Sequence, residues 1–216
     1  MNMRFGSFLT LSLFLVSVLQ AKGNYSSNYE LPREIASEEE SSTPANIKIY
    51  SNIDLNITRI SSVNDVGFGL TAGTDVVWHF SPAVGLFAGL DYSQIKGEEG
   101  GDEVSVDYID LPFGVAFGVA SSRIGYSTAT HIVNLGLYYG IPMTDLKVGA
   151  TKIDAENMLG LNFETHSDFK ITDEFYLGFH IQVKYGFRDI IADNKNPFGS
   201  SSKPLTTALG LSARFL

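Results

Sequence analysis

From Ile47 to the end of the chain, apolar and polar side chains separate again and again with a period of two, the spacing that places alternate residues on opposite faces of a strand. In the first run Ile47, Ile49, Ile53, Leu55 and Ile57 share one face, and Lys48, Asn52, Asp54, Asn56 and Thr58 share the other with Tyr50. The parity then shifts, so that Val66, Phe68, Leu70, Ala72, Val76, Trp78 and Phe80 oppose Gly67, Gly69, Thr71, Gly73, Asp75 and His79. A third run sets Leu86, Ala88, Leu90 and Tyr92 against Gly85, Phe87, Gly89 and Asp91. A fourth sets Ile109, Leu111, Phe113, Val115, Phe117 and Val119 against Tyr108, Asp110, Pro112, Gly114, Ala116 and Gly118, and a fifth sets Val133, Leu135, Leu137, Tyr139 and Ile141 against Asn134, Gly136, Tyr138 and Gly140. In the sixth, Leu159, Leu161, Phe163, Phe169 and Ile171 face away from Gly160, Asn162, Glu164, His166, Asp168 and Lys170. In the seventh, Phe175, Leu177, Phe179, Ile181, Val183, Tyr185 and Phe187 face away from Tyr176, Gly178, His180, Gln182, Lys184, Gly186 and Arg188. The last run opposes Leu205, Leu209, Leu211, Ala213 and Phe215 to Thr206, Ala208, Gly210, Ser212 and Arg214. The pattern predicts eight strands.

Alternation alone also describes a soluble sandwich or lipocalin. Strand length and the placement of charge separate the possibilities. Several runs hold their period for 10 or more residues, whereas soluble strands average roughly 5 to 6 and a tilted membrane strand needs about 9 to 11. Asp54, Asp75, Asp91, Asp110, Glu164, Asp168, Lys170, Lys184, Arg188 and Arg214 all fall on the polar faces, and the apolar faces are almost free of charge. A face of that kind suits hydrocarbon, where a Lys or Arg at the midplane costs roughly 2–4 kcal/mol. The segment Ile124–Thr144 carries no formal charge and has the length of a spanning helix, but Gly125, Gly136, Gly140, Pro142 and its own alternation favour a strand. The expected fold is all-β: an eight-stranded antiparallel up-and-down transmembrane β-barrel.

The connections agree with that reading. Short links at Ser81-Pro82 and Thr172-Asp173-Glu174, with an intermediate one around Ala120–Tyr126, alternate with longer ones at Ile95–Ser105, Pro142–Asn157 and Asp189–Lys203. In bacterial barrels short turns are periplasmic and long loops extracellular, which puts both ends of the barrel domain in the periplasm. The link Arg59–Asp65 is short for an outer loop. Aromatic residues gather near strand ends: Trp78, Phe80, Phe117, Phe169, Phe175 and Phe215 toward the periplasmic rim, and Tyr92, Tyr139, Tyr185 and Phe187 toward the outer one. Two such girdles are expected where a barrel crosses both interfaces.

The first 21 residues are read as a signal peptide: Arg4 gives a positive start, Phe5–Leu19 is apolar or small, and Ala21 is small enough for cleavage. Residues 22–45, with the acidic run Glu38-Glu39-Glu40 and Pro44, show no apolar period and read as a flexible periplasmic tail. Residues 46–216 form the barrel domain. The chain has no cysteine, hence neither disulfides nor thiolate metal sites. Its formal charge of -9 argues against nucleic acid as a partner.

The runs Tyr108-Ile-Asp-Leu-Pro-Phe-Gly-Val, Leu135-Gly-Leu-Tyr-Tyr-Gly and Phe175-Tyr-Leu-Gly-Phe-His-Ile-Gln-Val-Lys-Tyr-Gly-Phe-Arg-Asp-Ile resemble the small outer-membrane β-barrels of the porin-like, PorT-like and OmpA-like group. The end, Leu209-Gly-Leu-Ser-Ala-Arg-Phe, is similar to the closing strand that such proteins present to the barrel-assembly machinery, with Phe215 as the assembly signal. The family ends on its aromatic residue; here Leu216 follows. The resemblance covers about residues 46–216 and implies integral residence in the outer membrane of a Gram-negative cell, among its lipids and lipopolysaccharide, with little implied about activity.

Eight strands leave an interior just wide enough for side chains to fill. Asp54, Asp75, Asp91, Asp110, Glu164, His166, Asp168, His180, Lys184, Arg188 and Arg214 are therefore expected to form a polar network in the lumen, since buried charges persist when paired. That favours a structural or surface-interaction scaffold whose loops meet an extracellular ligand. The alternatives are a narrow pore for small solutes, which inward glycines could leave open, and a lipid-modifying enzyme. His166 and His180 fall opposite each other if the hairpin turns at Asp173, and such a pair could hold a metal or act as acid and base; next to Glu164 and Asp168 it reads first as a structural network. His131 has no serine nucleophile motif beside it. The acidic run Glu98, Glu99, Asp102 and Glu103 offers oxygen ligands in no defined spacing and reads as solvated. No catalytic residue, metal or cofactor is assigned from sequence.

Overall fold

The computed structural model describes residues 46–63, 65–81, 83–124, 127–172, 174–191 and 201–215. The expected signal segment 1–21 and tail 22–45, together with Pro82, Asp173 and Leu216, lie outside the described residues. The strands are β1 (Asn46–Ile60), β2 (Asp65–His79), β3 (Val84–Glu99), β4 (Asp102–Ile124), β5 (Ser127–Pro142), β6 (Leu146–Val148), β7 (Thr151–Ile153), β8 (Met158–Lys170), β9 (Phe175–Gly186) and β10 (Pro204–Phe215). Eight of them, all but the short β6 and β7, close into an up-and-down barrel. Each pairs antiparallel with its neighbours in the order β1, β2, β3, β4, β5, β8, β9, β10, and β10 pairs back to β1. Closure leaves these eight strands no free edge.

The alternation read from the sequence becomes an inside and an outside. Ile53, Leu55, Phe68, Leu90, Phe113, Leu135, Phe179, Leu209 and Leu211 are exposed on the outer surface, while Asn52, Asp54, Thr71, Asp75, Asp91, Asp110, Asn134, Glu164 and Gln182 are buried within. A soluble barrel would have the opposite arrangement. The large exposed side chains form a belt around every one of the eight strands, far beyond the few hundred Å² of contiguous apolar surface that a water-soluble monomer tolerates. Such a belt is stable where the surrounding solvent is itself apolar.

Several connections differ from those inferred from the chemistry of their residues. The expected loop Ile95–Ser105 is largely strand. β3 runs to Glu99, β4 starts at Asp102, and only Gly100 and Gly101 turn between them, both at positive φ of 61° and 91°. Two consecutive residues at positive φ make the tight hairpin turn whose twist matches that of its strands, and glycine is the residue that enters it without steric cost. The link around Ala120–Tyr126 is likewise mostly paired, with Ile124 opposite Ser127 beyond a register shift at Val119/Ser122. The segment Pro142–Asn157 contains the β6–β7 hairpin, which pairs with β4 through Val104–Val148 and Ser105–Lys147. Ala155 forms an isolated bridge to Ile191 in the last long connection.

These additions share a cause. Beyond the belt the polarity of the strands inverts: Ile95, Val104 and Val106 are buried inside, while Lys96, Glu98 and Glu103 lie outside. Water surrounds the wall there, so the ordinary rule returns and an apolar core forms. Ile60, Val63, Ile95, Val104, Val106, Tyr108, Tyr138, Leu146, Met158, Ile190 and Ile191 make one buried cluster that closes the loop end.

The belt generates a first prediction. Leu55 is 71% exposed and lies between Leu70 and Leu209 on the neighbouring strands. Leu55→Arg should lower the stability of the barrel refolded in phosphatidylcholine vesicles by about 2–4 kcal/mol. Denaturant titration in vesicles measures this, and an unchanged midpoint would show that the belt does not face hydrocarbon.

Candidate functional site

Once the apolar residues face out, every polar residue of the same strands must turn inward, and the interior then has to satisfy them without bulk water. Space is the first problem. It is solved by pairing acids with glycines across adjacent strands. Asp91 lies opposite Gly73, Asp75 opposite Gly89, Asp110 opposite Gly140, Asp168 opposite Gly178, and Asp54 opposite Gly210. In each pair the carboxylate rests where the glycine's Cβ would be. A Cβ there would stand 1.9 Å from Asp91 Oδ1, 1.9 Å from Asp75 Oδ1, 2.4 Å from Asp54 Oδ1, 2.6 Å from Asp168 Oδ1 and 2.7 Å from Asp110 Oδ1. At these five positions the glycines therefore leave no open space, because a carboxylate from the next strand occupies it.

Hydrogen bonds and ion pairs gather five of the acids into three groups. Lys184 Nζ bridges Asp91 Oδ2 at 2.8 Å and Asp110 Oδ2 at 2.7 Å, and Ser93 Oγ donates to Asp110 Oδ2 at 2.8 Å. Gln182 Nε2 donates to Asp91 Oδ2 at 3.0 Å and Glu164 Oε1 at 2.9 Å, linking that cluster to the next. Asn162 and Asn134 donate to the two oxygens of Glu164. Asp54 Oδ2 accepts from Asn52 at 2.6 Å and from His180 Nδ1 at 2.8 Å. Closer to the end that carries residues 46 and 215, Arg214 Nε lies 3.5 Å from Asp168 Oδ2, and the guanidinium sits 3.6 Å over the ring of Tyr176. Ser212 donates to Asp168 at 3.0 Å.

Apolar layers bound this polar interior. The cluster at the loop end lies on one side, and on the other Tyr50, Val77, Phe87, Ala116 and Ile132 form a second buried group. Eight strands enclose little volume, and here that volume is taken up by side chains in layers: apolar, polar, apolar, and then the Arg214 pair.

Of the residues singled out from sequence, Asp54, Asp75, Asp91, Asp110, Glu164, His166, Asp168, His180, Lys184 and Arg214 are all buried in the interior. Arg188 is placed differently. Phe187 N–H makes the last wall-like hydrogen bond, to Leu159 O, and the chain then leaves the sheet, so Arg188 is exposed at the loop end rather than in the lumen. Trp78, Phe80, Phe117 and Phe215 are exposed on the outer surface at the end carrying residues 46 and 215, where Phe175 packs on Phe215 with ring centroids 5.4 Å apart. Tyr92, Tyr139 and Tyr185 are exposed toward the loop end. Sequence reasoning did not single out Ser93, Gln182, Asn134, Asn162 or Ser212 as members of the network. Their signal was present: Ser93, Gln182, Asn134 and Asn162 share inward parity with a carboxylate two residues away or directly opposite, and Ser212 shares it with Arg214 two residues on.

A closed eight-stranded antiparallel barrel with a polar interior and an apolar exterior is the fold of the small outer-membrane barrels. Neisserial surface protein A superposes on 80% of this chain with 99% of its own, at a TM-score of 0.51 and 11% identity. Ail, the attachment invasion locus protein of Yersinia pestis, covers 80% of the chain with all of its own at a TM-score of 0.43 and 12% identity, and the N-terminal β-barrel domain of Pseudomonas aeruginosa OprF does so at 0.40 and 12%. At such identities the first of these likenesses establishes the fold and nothing finer. The sequence matches no protein-family model and no curated protein.

Two predictions follow from the interior. Lys184→Met leaves Asp91 and Asp110 facing each other without a cation and should cost about 3–5 kcal/mol. Adding Asp91→Asn and Asp110→Asn should restore most of that loss, both read as denaturant midpoints in detergent. Gly73→Ala should destabilise the barrel strongly, because the new methyl displaces Asp91, but only weakly in an Asp91→Ala background. Equal penalties in the two backgrounds of that double-mutant cycle would remove the glycine–aspartate account.

Proposed function

We propose that this protein is an integral protein of the cell outer membrane, exported by its first 21 residues, with both ends of its barrel in the periplasm and its two aromatic sets at the two interfaces. Its role is that of a scaffold that holds a surface-exposed loop end for contact with an extracellular ligand. The single observation that carries this reading is the filled interior. The lumen holds interlocked side chains between two apolar layers, so what this molecule offers its surroundings is its outer surface and its loops. The fold shared with Neisserial surface protein A supports the location, and the apolar belt supports residence in lipid. The orientation is supported by the two longest connections, β5–β8 and β9–β10, which lie at the same end, opposite the β8–β9 turn.

Partners follow from the location. The belt meets outer-membrane lipids and lipopolysaccharide, and the β10 ending at Phe215 is presented to the barrel-assembly machinery during biogenesis. The loop end carries the β3–β4 hairpin, where Lys96 and Glu103 pair at 3.5 Å across the strands. No catalytic role is proposed.

Conductance tests the reading directly. The purified barrel, shown to be folded by heat-modifiable gel mobility, should insert into a planar bilayer without steady conductance steps. A stable, reproducible step would make the lumen a solute path and replace the scaffold reading with a pore.

A further inference from the structure

One cluster in the interior is not explained by the packing of the barrel. Hydrogen bonds account for the carboxylates around Lys184, but His166 is fully buried and neither of its ring nitrogens has a hydrogen-bond partner. An imidazole always presents at least one N–H and, when neutral, one lone pair. Burying both unpaired is costly, and such groups in folded proteins call for a specific explanation. The ring packs against Tyr50, with 4.6 Å between centroids, and against His180, stacked at 4.5 Å.

What faces those nitrogens is a donor set. His166 lies directly opposite His180 in the β8–β9 ladder, and Glu164 is two residues before it on the same inward face. One ligand atom from each of Glu164, His166 and His180 lies within 4.8 Å of the others. Glu164 Oε2 is 3.8 Å from His166 Nε2, too far for a hydrogen bond. His180 is already prepared as a ligand. Its Nδ1 meets Asp54 Oδ2 at 2.8 Å; a carboxylate accepts, so Nδ1 carries a proton, and in the neutral ring that a metal would bind Nε2 then holds the lone pair, buried without a partner. A carboxylate that fixes the tautomer of a ligating histidine from behind is the usual outer shell of a metal centre. Asn134, Asn162 and Gln182 hold Glu164 in the same way.

We propose that Glu164, His166 and His180 form a binding site for one divalent transition-metal cation inside the barrel, with Asp54 as the positioning residue. Two imidazoles and one carboxylate suit a borderline cation of the zinc type, with water at the remaining position. Zinc bonds of about 2.0–2.2 Å put neighbouring ligand atoms at about 3.3–3.6 Å in a tetrahedron, so the three donors must close by about 1 Å, and the rings of His166 and His180, stacked at 26°, must tilt for both lone pairs to meet one ion. The described interior holds six buried carboxyl groups (Asp54, Asp75, Asp91, Asp110, Glu164, Asp168) and two buried basic side chains, Lys184 and Arg214. With apolar layers on both sides, the ion enters as the strands close, which couples its binding to folding. The site is independent of what the loops contact.

The test uses the full chain, unfolded in urea and refolded in detergent with zinc, with heat-modifiable mobility to report folding. After desalting against a chelator, about one zinc per folded chain should remain by elemental analysis. His166→Gln should reduce retention at least tenfold, Asp54→Asn should weaken affinity about 10–100-fold, and His131→Gln, on the outer face, should leave both unchanged. Equal zinc in wild type and His166→Gln, or none in folded wild type, overturns the proposal. Should His166→Gln fail to fold, refolding wild type with cobalt decides: intense visible bands of a four-coordinate centre support the site, and a folded protein without them refutes it.

Discussion

The structure depends on one constraint: along the belt there is no water outside the wall. Backbone N–H and C=O groups in such surroundings must be paired within the protein, which a closed ladder of eight strands achieves and an open sheet does not. Side chains obey the same constraint with opposite sign. Whatever is apolar on these strands can face out, and whatever is polar has nowhere to go but in. The acidic, hydrogen-bonded interior is thus a consequence of the exterior.

The interior then has to solve a packing problem that a soluble core does not have. Its side chains are polar, differ greatly in size and need specific partners. Pairing each of five aspartates with a glycine on the next strand supplies room, and Lys184, Arg214, Gln182 and the asparagines supply partners. Past the belt the problem disappears, and with it the solution. Ile95, Val104, Val106 and Leu146 form an ordinary apolar core beneath a water-exposed wall. One chain thus changes its rule of burial partway along the same strands, at the level where its surroundings change from lipid to water.

That change of rule decides how much could be read from sequence. The fold was legible because period-two alternation with charge confined to one face has a single structural solution over strands this long. The inward residues were legible for the same reason, and the opposition of His166 and His180 followed from a short hairpin. What sequence did not yield was the extension of β3 and β4 past the belt. Lys96, Glu98, Glu99, Asp102 and Glu103 look like a solvated loop when strands are sought by their apolar outer faces, yet here the charged residues are the outer face. Arg188 was misplaced by the converse error: its parity is inward, but the strand ends at Gly186 and parity means nothing once the chain leaves the sheet. The partners within the network were not legible either, because they depend on which strands the barrel places across its lumen, as with Lys184 of β9 reaching Asp91 and Asp110 of β3 and β4.

The glycine–aspartate pairs also bear on how the strands find their alignment during assembly. A slip by one residue is opposed by the outer belt, since it would turn every aspartate toward lipid. A slip by two is not, because the faces are preserved. Between β2 and β3 such a slip would set Asp75 against Asp91, two carboxylates competing for one site with no glycine to receive either. Alternation selects which way each strand faces, and these pairs proofread how far along its neighbour it sits.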